Sequence, residues 1–254
     1  MKNKELLEVA VEAALKAGAL LRKGFGTTFK ISKKSGKHNL VTEYDFAAEK
    51  AIIETIATHF PTHGFLAEES GQGKKGDILW IIDPLDGTVN FAHGIPVFSV
   101  SIAATQGEEI LCSVVYQPIT EELFTAEKGK GAHLNGHKLH VTKTTDLNEA
   151  FLATGFPYNV DKNPLHCIDT FSQMTKKGIP IRRLGSAAID LAYVAAGRFD
   201  AYWEVSLQPW DLAGGKLLVE EAGGRVTDYS GKPRPLLDTG PILATNGHLK
   251  LELL

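Results

Sequence analysis

Asp83 and Asp86 are separated by Pro84-Leu85 and followed at once by Gly87-Thr88. Two carboxylates so close suit a hard cation, since Mg²⁺ prefers oxygen ligands and commonly shares them with a substrate phosphate. The glycine lets backbone N–H groups approach an anion, and a helix opening after it would add partial positive charge. The same residues are also good turn chemistry, with Pro presetting φ and Gly accepting positive φ. Upstream, Ile78-Leu79-Trp80-Ile81-Ile82 is apolar and rich in β-branched residues, so a buried strand is expected to end on Asp83, with Pro84 forcing a turn.

Three more acids stand at the ends of expected elements: Asp45, Glu68 and Asp211. Metal ligands often collect at such ends, where the scaffold is rigid and the side chain reaches a cleft. Each acid has a plainer reading. Asp45 completes a capping box with Thr42, and Asp211 after Trp210 is a good helix cap. Glu68 beside Glu69 is a solvated acidic turn unless a cation relieves their repulsion. His133, His137 and His140 have metal-like spacing but bracket the Asn135-Gly136 turn, so the flanking strands would send them to alternate faces. Gly185-Ser186 opens either an anion-binding helix or an ordinary strand–helix junction.

The elements that must position these residues follow from periodicity. Leu6, Val9, Ala10, Ala13, Ala17 and Leu20 mark one face of a helix over 4–22. A second helix runs from the capping box through Ile52, Ile53 and Ile56 to Pro61, and a short strand over 64–70 ends in acids. Strands over 97–104, 110–116 and 122–126, then an Asn-Gly hairpin, predict an antiparallel meander. From about residue 148, strands at 151–154, 179–183 and 199–205 alternate with helices near 165–175, 186–196 and 211–222, as in an α/β lobe. Asn163-Pro164 predicts a helix start and Gly223-Gly224 a stop. The expected division is an N-terminal α+β lobe over 1–145 and a C-terminal α/β lobe over 146–254, sharing one core.

Composition narrows the function classes. The chain has 254 residues, 43% hydrophobic and 22% charged, with 27 basic and 30 acidic side chains and a net charge of −3. That balance gives no electrostatic argument for nucleic acid or an anionic membrane. Lys30, Lys33, Lys34 and Lys37 make only a small basic cluster. The spacing of Cys112 and Cys167 fits no zinc or redox motif, so reduced thiols and a cytoplasmic location are expected. Charges interrupt the N-terminal apolar stretch, which therefore lacks a secretory signal's core, and no run approaches a membrane span.

Taken together, Leu40-Val41-Thr42-x-x-Asp45, Glu68-Glu69-Ser70, Asp83-Pro84-Leu85-Asp86-Gly87-Thr88-x-Asn90-Phe91 and Trp210-Asp211-x-Ala213-Gly214 resemble the inositol monophosphatase family, in that family's order. The hairpin segment 129–141 and Gly185-Ser186-Ala187-Ala188 are similar too; Asn39 departs from the Asp common there. The resemblance implies a layered αβαβα sandwich of the sugar-phosphatase type. It also implies a homodimeric, lithium-sensitive, Mg²⁺-dependent phosphomonoesterase, with inositol monophosphate as the expected substrate. Carried over residue by residue, one Mg²⁺ takes Glu68, Asp83 and the Leu85 carbonyl, and a second takes Asp83, Asp86 and Asp211. A third, weaker ion lies near Glu68 through water. Asp45 and Thr88 take a proton from the attacking water, and the N–H groups of Gly87 and Thr88 hold phosphate. Asp86, Gly185, Ser186, Ala187, Glu204 and Asp211 face the substrate's hydroxyl side.

Rival phosphatases are fewer. Haloacid-dehalogenase-type enzymes also carry Asp-Gly-Thr after a buried strand, but with a nucleophilic Asp two residues before the second Asp. Here that position is Pro84, which argues against a phospho-aspartyl enzyme. Fructose-1,6-bisphosphatase and nucleotide 3′-phosphatases share the metal motif of the resembled superfamily. Some bacterial members also act with transcription machinery, so a binding role stands as an alternative of a different class.

Overall fold

Side chains of the long strands alternate between two apolar surroundings, and that alternation builds the layers. The computed structural model describes residues 2–33 and 40–253. Lys34, Lys37 and Asn39 lie outside the described residues.

Helix α1 (Lys2–Gly24) precedes a small antiparallel pair, β1 (Ile31–Lys33) and β2 (Leu40–Thr42). Helix α2 (Glu43–His59) opens on the expected capping box: Thr42 Oγ1 accepts from Tyr44 N–H, and Asp45 Oδ2 accepts from Thr42 N–H at 2.7 Å. Then come β3 (Gly64–Ala67), β4 (Gly71–Gln72), β5 (Leu79–Asp86) and the short helix α3 (Thr88–Ala92). The meander follows as β6 (Ser99–Gln106), β7 (Glu109–Gln117), β8 (Glu122–Glu127), β9 (Gly131–Leu134) and β10 (His137–Lys138). These strands join one eight-stranded sheet, antiparallel except where β3 runs parallel to β5.

The second half contains β11 (Leu152–Thr154), α4 (Cys167–Lys176), β12 (Ile181–Arg182), α5 (Ala187–Ala195), β13 (Ala201–Leu207), α6 (Pro209–Glu221), β14 (Arg225–Thr227) and β15 (Gly240–Thr245). They form a five-stranded sheet in the order β12-β11-β13-β15-β14. β11 is parallel to both its neighbours, whereas β15 is antiparallel to β13 and β14.

Three apolar cores separate five layers. Trp80, Ile82, Ile102 and Val114 pack against α1 and α2. From the opposite face of the same sheet, Ile81, Ala103, Val115 and Phe124 join α5, α6 and the inner residues Tyr202, Ile242 and Ala244 of the second sheet. On that sheet's outer face Leu152, Ala201 and Trp203 meet Met174 of α4, with Leu249 and Leu251. The result is an αβαβα sandwich.

Three local expectations change. First, β5 does not end at Asp83 but continues through Asp86 over a bulge: Asp83 pairs with Ser101 and Asp86 with Ser99. Pro84 falls inside the bulge, where a missing N–H costs no ladder bond. Second, Asn163 and Pro164 do open a helical segment, as cap and first residue, but it is a short 3₁₀ turn, Pro164–His166, ahead of α4 rather than α4 itself. Asn163 Oδ1 reaches forward to the N–H of Ile168 at 2.8 Å. Third, β14 and β15 are strands that periodicity does not announce, being short and, for β15, led by Gly240-Pro241.

Candidate metal and phosphate site

Residues three apart on a regular strand point to opposite faces. The bulge at Pro84-Leu85 inserts one residue and returns Asp86 to the face of Asp83. Asp83 and Asp86 are buried, while Glu68 and Asp211 are half-buried. Glu68 lies in hydrogen-bonding reach of Asp83.

Backbone groups orient each acid. Asp83 Oδ1 accepts from Leu85 N–H at 3.0 Å. Asp86 Oδ2 accepts from Ser186 Oγ at 2.5 Å and from Ala188 N–H at 2.7 Å, the opening turn of α5. Asp211 Oδ2 accepts from Gln208 N–H at 2.7 Å, closing a capping box on α6. The capping reading of Asp211 and the site reading are therefore compatible.

The electrostatics show the strain of gathering these acids. Burial, then the charges of Glu68, Asp86 and Asp211, hold the Asp83 carboxyl well above the usual range. Burial, then Asp86, does the same to Asp211. Asp86 is pushed up to about 6 by burial, against the pull of the Ser186 and Ala188 hydrogen bonds. Buried like charges are costly unless a cation compensates them. Among the described residues, no three His, Cys, Asp or Glu side chains close into a ready metal shell. An all-oxygen set of carboxylates plus the Leu85 carbonyl nevertheless fits Mg²⁺ in its chemistry.

Beside the acids stands Asp45. Its Oδ2 takes the N–H and hydroxyl of Thr42, and its Oδ1 accepts from Thr88 Oγ1 at 3.0 Å. The Thr88 hydroxyl also lies 3.0 Å from the Leu85 carbonyl, so one proton has two acceptors. Burial raises the Asp45 carboxyl, offset in part by Thr42 and Thr88. Gly87 adopts φ 93°, and a Cβ there would stand 3.0 Å from the Val97 carbonyl. Only glycine suits that position.

Within electrostatic reach of Asp86, Glu204 Oε2 accepts from the Tyr202 hydroxyl at 2.6 Å. Burial pushes Glu204 up to about 7, with the Tyr202 bond pulling it down. A Cβ on Gly155 would meet Glu204 Oε2 at 1.9 Å, so the carboxylate rests directly on that glycine. Gly185 has φ 84° and is exposed, Ala187 is half-buried, and the Ser186 hydroxyl is turned inward to Asp86. The three histidines do not gather: His133 pairs with Lys138, and His137 with Leu134, across the hairpin.

Sequence comparison matches residues 2–254 to the inositol monophosphatase family. The chain belongs to the inositol monophosphatase family. Among its relatives, the Nus factor SuhB of Escherichia coli strain K12 is 45% identical over 95% of this chain and 91% of that protein. The inositol-1-monophosphatase of Rhizobium meliloti strain 1021 is 44% identical over 100% of this chain and 96% of the relative. The crystal structure of the extragenic suppressor protein suhB from Bartonella henselae superposes with a TM-score of 0.90 at 41% identity, covering 96% of this chain and 95% of that one.

Within this inositol monophosphatase-family fold, motif reading passes over several residues that shape the site. Asn90 Nδ2 donates to the carbonyls of Val97 and Leu184, at 2.7 and 2.8 Å, and so ties α3 to the Gly185 turn. Asp190 is buried beside Glu204 and Asp86, with Oδ1 lacking a hydrogen-bond partner. Glu49 is buried on α2 and bonds the turn after Glu68. Spacing offers one signal for the last: Glu49 follows Asp45 by one helical turn, on the same face.

Proposed function

We propose that this protein hydrolyses a phosphate monoester of a cyclitol or sugar, inositol monophosphate foremost, with Mg²⁺. The observation that carries this reading is geometric: the bulge in β5 sets Asp83 and Asp86 on one face of the strand end, with Glu68 after β3 and Asp211 in the first turn of α6 close enough for their charges to raise the Asp83 carboxyl. Membership in the inositol monophosphatase family supports it.

In this reading Glu68, Asp83 and the Leu85 carbonyl would hold one Mg²⁺, Asp83, Asp86 and Asp211 would hold a second, and a third would bind weakly near Glu68. Bound there, Mg²⁺ would supply neutralisation of the phosphate dianion and a lowered pKa for the attacking water. The chain supplies the rest. Thr88 Oγ1 passes its proton to Asp45 Oδ1, 3.0 Å away, as it accepts one from the attacking water. Burial makes Asp45 a stronger base than an exposed carboxylate, which suits that transfer. The N–H groups of Gly87 and Thr88 bind phosphate oxygens where the positive φ of Gly87 bends the backbone. Glu204 accepts from substrate hydroxyls, alongside the Gly185-Ser186-Ala187 turn. No protein nucleophile is required, so hydrolysis is direct.

The proposal extends to a homodimer, for which mass in solution is the check, and to inhibition by millimolar Li⁺. Free, buried Cys112 and Cys167 support a reducing, cytoplasmic setting. Among the described residues no helix is long and apolar enough to cross a membrane. The deciding experiment is a panel of phosphate esters, including inositol 1-phosphate, fructose 1,6-bisphosphate and a nucleotide 3′-phosphate, assayed with Mg²⁺ and with chelator. Absence of chelator-sensitive turnover on every ester would defeat the reading.

A second reading has one specific support, the relative called a Nus factor. It is a binding role with transcription machinery, with or without turnover. An Asp83→Asn protein that restores growth of a deletion strain would favour it; failure to restore growth would favour the enzyme.

A further inference from the structure

We infer that Glu49 is the positioning residue for Glu68, fixing the metal-facing direction of that side chain through the backbone of the next two residues. The inference rests on the Mg²⁺ reading of Glu68 proposed above. Glu49 is only 5% exposed, on the face of α2 that also carries Asp45 one turn earlier. Both its carboxylate oxygens are used: Oε2 accepts from Glu69 N–H at 2.9 Å and Oε1 from Ser70 N–H at 3.0 Å.

The consequence falls on Glu68. Its own N–H donates to the Ile82 carbonyl at 3.1 Å, extending the β3–β5 ladder by one residue. That bond fixes the peptide plane before Glu68, and the bond from Glu69 N–H to Glu49 fixes the plane after it. Both backbone torsions of Glu68, and so its Cα–Cβ direction, are set from outside the residue. The Ser70 bond then holds the reversal into β4, which turns at Gly71 with φ 72°.

A buried carboxylate is expensive, and an apolar side chain of similar size would fill the same space more cheaply. The core of α2 is already supplied by Ala48, Ile52 and Ile56. What Glu49 adds is a two-pronged acceptor for two consecutive N–H groups, which no apolar residue provides. One helix face therefore sets two parts of the site: Asp45 grips Thr88, and Glu49 grips the turn behind Glu68.

The test uses the full chain and Mg²⁺ alone as the probe. Thermal melts across a Mg²⁺ series give a half-saturating concentration with no substrate present. Four variants are compared with the parent: Glu49→Gln, Glu49→Asp, Ser70→Pro, which deletes one donor at an exposed position and leaves α2 intact, and Ile52→Val as a packing control. The expected result is a roughly 10–100-fold higher half-saturating Mg²⁺ in both Glu49 variants, the usual scale for losing support behind a ligand. Ser70→Pro should shift it the same way, and Ile52→Val should lower the melting point in chelator with the parent's Mg²⁺ dependence.

If the Glu49 variants melt lower but titrate like the parent, Glu49 is only structural and the inference is overturned. It is also overturned if Glu49→Asp titrates like the parent while Glu49→Gln does not, because charge rather than placement would then matter. Should a Glu49 variant fail to fold, an unshifted Ser70→Pro overturns it. A parent chain that shows no Mg²⁺ response defeats the metal reading itself, and the two failures are told apart by that control.

Discussion

Asp86 and Ser186 are 100 residues apart in the chain and 2.5 Å apart at Oδ2 and Oγ. That contact stitches the end of β5 to the N-terminus of α5, and so ties the first sheet to the helical layer behind it. Ser186 is buried, and its hydroxyl also caps α5 by accepting from Ile189 N–H. Ser186→Ala should cost about 1.5–3 kcal/mol, the usual worth of a bond to a charged acceptor. It should also weaken Mg²⁺ binding, because Asp86 loses the hydroxyl that aims it. Chemical denaturation and Mg²⁺ titration check both; unchanged stability would mean the bond is absent in solution.

Asp83→Asn separates activity from stability. It removes the charge central to the proposed site, so turnover should fall by about 10³-fold or more, the scale of losing a preorganised charge contact. The same change relieves repulsion with Glu68, Asp86 and Asp211. In chelator the variant should therefore melt higher than the parent; each kcal/mol gained is worth about 2–4 °C in a chain of this size. A variant that melts lower in chelator would show that the cluster is not repulsive.

Motif chemistry is legible here because it is local. Thr42 and Asp45 are three residues apart and form the capping box that their spacing announces. Gly87 is bracketed by the carboxylate and the threonine it separates, and its positive φ is what such a turn demands. The bulge is not legible, because Pro84 signals a break and the sequence does not say whether the strand resumes. Nor are the contacts of Glu49 or Ser186, whose meaning comes from partners 20 to 100 residues away. β15 is missed for a related reason: Gly240-Pro241 looks like punctuation, and the strand is held by β13 and β14 on either side.

Gly87 and Gly94 make a controlled pair. Both have positive φ, 93° and 70°. A Cβ on Gly94 would meet nothing within 4 Å, whereas on Gly87 it would press on the Val97 and Gly185 carbonyls at 3.0 and 3.2 Å. Gly94→Ala should cost about 1–2 kcal/mol, the left-handed penalty alone. Gly87→Ala should cost more and abolish turnover, since the backbone must move where phosphate is proposed to bind. Equal melting points for the two variants would contradict the close packing at Gly87.

The response to Mg²⁺ should depend on pH in a definite direction. Burial pushes Asp86 up to about 6 and Glu204 up to about 7, so the folded chain holds protons that the unfolded chain releases at lower pH. The stability these groups contribute is present below the ordinary carboxylate range and is lost as pH rises through about 6 and 7. A cation at Asp86 replaces the proton and offsets that loss. The difference in melting point between Mg²⁺ and chelator should therefore grow from pH 5 to pH 8. A difference that is flat or shrinks over this range would show that protons and Mg²⁺ do not compete at the site.

Substrate choice is expected to rest on Glu204. The Tyr202 hydroxyl at 2.6 Å and the Gly155 backbone beneath it hold the carboxylate in place, so a substrate hydroxyl meets a fixed acceptor. Glu204→Gln keeps the shape and one acceptor oxygen but removes the charge. Losing a bond to a charged acceptor costs about 1.5–3 kcal/mol, so the preference for inositol 1-phosphate over p-nitrophenyl phosphate should fall roughly 10–100-fold in kcat/KM. The half-saturating Mg²⁺ should stay close to that of the parent, because Glu204 is not among the proposed ligands. The aryl ester has no hydroxyl for Glu204 to read, and so reports on the shared chemistry alone. If both esters lost activity equally, Glu204 would be acting on that chemistry or on folding, and its role in choosing polyols would be wrong.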